Sequence, residues 1–79
     1  MPHYFFDTRD NDTFVEDEEG ITYPDLESVK IVAAKSLAEL AREVIPGSLQ
    51  RVLAVEVRDA LGPVLKAMMH FEAIILRPA

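Results

Sequence analysis

The stretch Leu26–Val44, LESVKIVAAKSLAELAREV, is the one long helical pattern in the chain, and everything else has to pack around it. At 100° per residue, Val29, Ala33, Leu37, Leu40 and Val44 fall within about 60° of Leu26. Ser28, Lys35, Glu39 and Arg42 fall opposite, so the stripe is that of a helix lying on a core. Ile31, Ala34, Ala38 and Ile45 flank it. Pro24 disfavours the helical region at Tyr23, and Asp25 supplies an N-cap carboxylate. Pro46-Gly47 ends the helix. Its limits are therefore written in the sequence on both sides.

Beyond the helix the pattern changes to β. Arg51–Arg58 and Val64–Leu76 are rich in strand formers and are separated by the turn-rich Asp59-Ala60-Leu61-Gly62-Pro63, which predicts a hairpin. One register sets Val57 opposite Leu65, Val55 opposite Ala67 and Leu53 opposite Met69 on one face, with Glu56 opposite Lys66 on the other. A slip of one residue would break both matches. Ahead of the helix, His3–Thr8 reads as a strand with Tyr4 and Phe6 on one face and His3, Phe5 and Asp7 on the other. Arg9–Thr13 favours a turn. A short or broken second strand is expected within residues 13–23, interrupted by a solvated acidic bend at Glu16–Glu19.

The resulting expectation is a single α+β domain over residues 1–79. It has one small antiparallel sheet in β-β-α-β-β order, with the amphipathic helix packed on one face. The helix covers Leu53, Val55, Val57, Ala67 and Met69. On the other face Val52, Ala54, Val64, Met68 and Ile74 interleave with Glu56, Arg58, Lys66, His70 and Glu72. Two layers leave that face open to water.

Charge is unevenly spread. The net charge is −6, yet residues 1–25 hold eight carboxylates and one arginine, while residues 26–79 hold six acids and seven bases. Phosphate binding needs clustered Lys and Arg, so the first third argues against nucleic acid as a partner. The chain has no cysteine, which excludes disulfides and thiolate metal sites. No apolar run reaches the ~18 residues of a membrane span. No basic segment precedes an apolar one near the N-terminus, so a cytoplasmic setting is expected.

Met1-Pro2-His3-Tyr4-Phe5-Phe6-Asp7, Asp17-Glu18-Glu19-Gly20, Pro24-Asp25-Leu26-Glu27 and Val55-Glu56-Val57-Arg58-Asp59, in that order, resemble a family of short bacterial proteins. These are common in rhizobia and relatives and known only as a domain of unknown function. The resemblance implies the α+β fold and a bacterial cytoplasmic setting, and it brings no catalytic or ligand-binding residue with it. Glu18-Glu19-Gly20 followed by Pro24-Asp25-Leu26 also resembles the HicB-type antitoxin domain. That family continues with a Pro-Gly turn and a loop before its helix, whereas Glu27-Ser28-Val29 here enters the helix directly.

The residues that carry chemistry elsewhere are sparse. Asp10-Asn11-Asp12 has the start of a calcium loop, but the sixth position is Val15 and the twelfth Ile21, where glycine and glutamate are needed. His3 and His70, if on neighbouring strands, supply two ligands where a zinc site wants at least three. Ser28, Ser36 and Ser48 lie outside any nucleophile-elbow pattern, and the three glycines form no phosphate-cradling run. No enzyme, cofactor or metal is expected. A 79-residue chain buries only about 60–65% of the surface its unfolded form exposes, and small domains often complete themselves by association. The expected function is a self-associating, non-enzymatic interaction module. It forms a homodimer through the open face or an exposed β-edge, with Val52, Ala54, Met68, His70 and Ile74 as interface candidates. The alternative is an antitoxin-like regulator whose acidic end masks a small basic toxin.

Overall fold

The computed structural model describes residues 2–78. The element order is β1 (His3–Asp10), β2 (Thr13–Val15), β3 (Ile21–Thr22), α1 (Leu26–Val44), β4 (Gln50–Asp59) and β5 (Gly62–Glu72). All strands are antiparallel, in the spatial order β2-β1-β4-β5, with β3 also pairing β1. The helix lies across β4 and β5 on one face of this sheet. This is the expected α+β architecture.

The helix has the limits its flanking residues dictate. The Asp25 carboxylate accepts the backbone N–H of Ser28 at 2.8 Å, satisfying one of the unpaired donors of the first turn. That hydrogen bond holds the Asp25 pKa below the usual carboxylate value. Glu27 and Arg42 sit at the ends of the helix dipole that suit their signs. At the C-terminus the Ser48 hydroxyl donates to the Val44 carbonyl, and Gly47 takes a positive φ of 89°.

Val29, Ala33, Leu37 and Ala41 are the buried helix positions, with Leu40, Val44 and Ile45 partly covered. They meet Tyr4, Leu53, Val55 and Val57 in one core cluster, joined at its margin by Phe6, Leu65, Ala67 and Met69. Leu26 departs from the expected stripe and is 52% exposed. It is the first helical residue, and its side chain leans back past the helix start, away from the packed turns.

The β4–β5 register is the expected one, with Val57 opposite Leu65, Val55 opposite Ala67, Leu53 opposite Met69 and Glu56 opposite Lys66. Three details differ. Gly62 and Pro63 belong to β5, so the turn tightens to Ala60-Leu61. A bulge after Val57 shifts the pairing and leaves Val64 without a partner on β4, so that Val64 packs against the core margin. The strand ends at Glu72, leaving Ile74 beyond it.

The N-terminal strand runs further than the turn propensity of its end suggested. It continues to Asp10, where Asn11 adopts a φ of +52° in the turn to β2. The second strand is broken, as anticipated: β2 pairs Thr8–Asp10, and β3 pairs His3 and Tyr4.

Candidate functional site: the open sheet face and its free edge

Between β2 and β3 the outer side of β1 lacks a strand, and the acidic bend fills the gap. The Asp17 carboxylate accepts the Phe6 N–H at 3.0 Å, a group the missing strand would otherwise bind, and also the N–H groups of Glu19 and Gly20 at 3.1 Å. These bonds, that of Phe6 first, hold the Asp17 pKa below the ordinary carboxylate value. The Asp17 N–H in turn donates to Asp7 at 2.9 Å. The bend is therefore pinned to the sheet, whereas composition alone predicted a solvated one. Glu16, Glu18 and Glu19 do face water.

Asp7, only 6% exposed, receives Arg58 Nε at 3.0 Å. The same guanidinium donates to the Asp17 carbonyl at 2.8 Å and lies 4.4 Å from the centre of the Phe5 ring. One strand-pair further along, Arg9 Nε donates to Glu56 at 2.9 Å while Arg9 stacks on Phe14, and Lys66 approaches Glu56 at 3.9 Å. The Arg9 bond lowers the Glu56 pKa and raises that of Arg9. On the helix side of the sheet, Arg51 pairs with Asp10 at 2.7 Å. Asp7 and Asp10 of the first third are thus matched by arginines of β4.

This network places ion pairs at the centre of the open face. Of the interface candidates, Val52 and Met68 are exposed at 40% and 58%, and His70 is exposed beside Val52. Ala54 is buried at 2%, because its one methyl group sits between the longer Arg9 on β1 and Met68 on β5. Ile74 lies in the segment after β5, at 69% exposure. The apolar residues of this mixed face therefore do not gather into one patch. Apolar surface collects along β5 and just past it, where Ile75 and Leu76 are 70% and 92% exposed.

A shallow depression of about 340 Å³ lies on this face between Asp7, Glu56, Arg58, Pro63, Val64 and Lys66. Its charged groups are committed to one another. His3 and His70 lie on β1 and β5, which are separated by β4 and are not neighbours. His3 instead donates from Nε2 to the Glu19 carbonyl at 2.8 Å. Among the described residues no group of three or more His, Cys, Asp or Glu could hold a metal ion, and no helix is long and apolar enough to cross a membrane.

The remaining feature is an edge. Among the described residues β5 has a neighbour only on its β4 side. The Ala73 N–H donates to the Leu49 carbonyl at 2.8 Å, continuing the ladder one pair past Gln50 and Glu72. Bonded pairs alternate in an antiparallel ladder, so Phe71, Met69, Ala67 and Leu65 bond to β4. Lys66, Met68, His70 and Glu72 point their N–H and C=O groups outward. The sequence predicted this hairpin without showing that nothing lies beyond it.

Fold and surface together define a two-layer α+β domain in which, among the described residues, one sheet face and the long β5 edge are uncovered. The chain belongs to the family described as Domain of unknown function (DUF6894), whose pattern matches residues 3–70, from the start of β1 into β5. No curated protein and no solved structure matches it.

Proposed function

We propose that this protein is a non-enzymatic, self-associating interaction module of the bacterial cytoplasm, joined to a second copy along β5. The observation that carries the reading is the outward edge of β5, continued by the exposed Ile74, Ile75 and Leu76. Unpaired strand edges template pairing with another chain, and soluble proteins normally blunt or cover them. Met68 on this strand adds apolar surface at the same place. The absence of cysteine fits a reducing compartment.

Light scattering over a concentration series tests the reading. Wild-type chain at tens of micromolar should give about twice the 8.9 kDa monomer mass, and Met68→Lys should return it to monomer. A monomer at every concentration overturns the proposal.

A second reading is favoured by one observation. Asp12, Glu18 and Glu19 are exposed and, among the described residues, form no ion pair, on the side of the sheet away from β5. They would suit a small basic partner, as in an antitoxin that masks its toxin. Binding to such a partner should be lost in Glu18→Lys/Glu19→Lys, and retention of binding would remove this reading.

A further inference from the structure

We propose that two copies pair antiparallel along β5 about a two-fold axis at Met69. This inference rests on the self-association reading and specifies its register and contacts.

The outward backbone groups belong to Lys66, Met68, His70 and Glu72, over a span of about 20 Å. A two-fold pair can use them only in registers that set these even-numbered residues opposite one another. With the axis at Met69, Lys66 faces Glu72 of the second copy at one end, and Glu72 faces its Lys66 at the other. Met68 and His70 face each other between them. Every exposed charge on the edge then meets the opposite sign. Moving the axis to Met68 sets Lys66 against His70 and Glu72 against Val64. Moving it to His70 sets Glu72 against Met68 and Lys66 against Ile74. Both alternatives lose the two charge pairs, and like or unpaired charges across a ladder disfavour a register.

The rest of β5 agrees with the same axis. Pro63 lacks an N–H and the bulge falls at Val64, so the edge is blunted before Leu65 and regular from there to Glu72. The axis bisects the outward-facing stretch from Lys66 to Glu72. On the helix side, half-buried Met69 meets its own copy and half-buried Phe71 meets Ala67. Ile74 and Ile75, 69% and 70% exposed, reach the second copy's Val64 and Pro63. The interface is thus self-complementary in hydrogen bonds, charge and apolar contact, as a two-fold interface must be.

The cysteine-free sequence allows a direct test. Cα atoms of a non-hydrogen-bonded antiparallel pair lie about 4.5 Å apart, within disulfide range. Met69→Cys should therefore form a reducible covalent dimer under mild oxidation. Ala67→Cys should not, because its two copies stand four residues apart along the strand, about 13 Å. Charge exchange at the two ends of the outward edge gives a second arm, with circular dichroism checking that each variant stays folded, since Lys66 also approaches Glu56 of its own chain. Lys66→Glu or Glu72→Lys should weaken dimerisation about 10-fold or more, and Lys66→Glu/Glu72→Lys should restore it to within about 3-fold of wild type. A wild-type dimer without the Met69→Cys crosslink, or a double exchange that stays dissociated, overturns this register while leaving self-association standing. A wild-type monomer at all concentrations overturns both.

Discussion

Asp17 stands in for a strand. Its carboxylate takes the Phe6 N–H that would otherwise be unpaired on the outer side of β1, and it organises the turn by accepting Glu19 and Gly20. Asp17→Ala leaves these donors without their charged acceptor, at a cost of about 2 kcal/mol and roughly a 10 °C fall in Tm. Arg58 clamps the same bend. Its removal leaves the buried Asp7 carboxylate without its cationic partner, with only the Asp17 N–H still donating to it, so Arg58→Ala should cost about 3 kcal/mol in urea denaturation. Arg58→Lys should recover only part of it, because a lysine cannot donate to Asp7 and the Asp17 carbonyl in one planar fork. Gly20 closes the bend at a φ of +67°, and a Cβ there would stand 2.6 Å from the Tyr4 carbonyl oxygen. The acid titration follows from these bonds. Asp17, through the Phe6 N–H first, and Glu56, through Arg9 first, have lowered pKa values in the fold. Their stabilising contribution is therefore complete above the ordinary carboxylate pKa of about 4 and is lost as pH falls below it towards the lowered values. The urea midpoint should be flat from about pH 7 to 5 and fall below about pH 4, with a shallower fall in Asp17→Asn. None of this could be read from Asp17-Glu18-Glu19-Gly20, since three successive carboxylates look alike until β1 selects which one turns inward.

At the scale of elements, β4 is the strand on which the others converge. It pairs β1 on one side and β5 on the other, and it supplies Leu53, Val55 and Val57 to the core at 0–1% exposure. Leu53→Ala should cost about 3 kcal/mol, measured by thermal or urea unfolding, because a central strand under a helix has little freedom to close the cavity. The helix limits and the β4–β5 register were legible because each rests on local chemistry: Asp25 and Pro46-Gly47 for the first, and the joint match of Leu53, Val55, Val57 and Glu56 for the second. The length of β1 was less so. Arg9 sits among turn formers, and only its alternation with Phe5 and Asp7 places it on the strand opposite Ala54, beside Glu56. Ala54 was misjudged for a related reason. Face is set by alternation, whereas burial within a face depends on the size of cross-strand neighbours, which are known only when the sheet is assembled.

For the whole molecule, the separation of charge along the sequence becomes matching in space. Asp7 and Asp10 of the first third meet Arg58 and Arg51 of the last, so the surplus acidity is carried by exposed residues at the margin. The shape is long, 55 × 22 × 16 Å, with a radius of gyration of 14.7 Å where a compact chain of this length gives about 11.6 Å. A five-strand sheet under one helix, extended by a long hairpin and an apolar segment, leaves a lengthwise edge uncovered. The proposed pairing of two copies runs along that edge. Its most direct test is hydrogen exchange of the individual β5 amides, compared between dilute and concentrated wild-type chain. The amides of Lys66, Met68, His70 and Glu72 should exchange fast when dilute and become protected on concentration, while those of Leu65, Ala67, Met69 and Phe71 stay protected throughout. If the outward set exchanges fast at every concentration, the β5 edge does not join two copies of this chain.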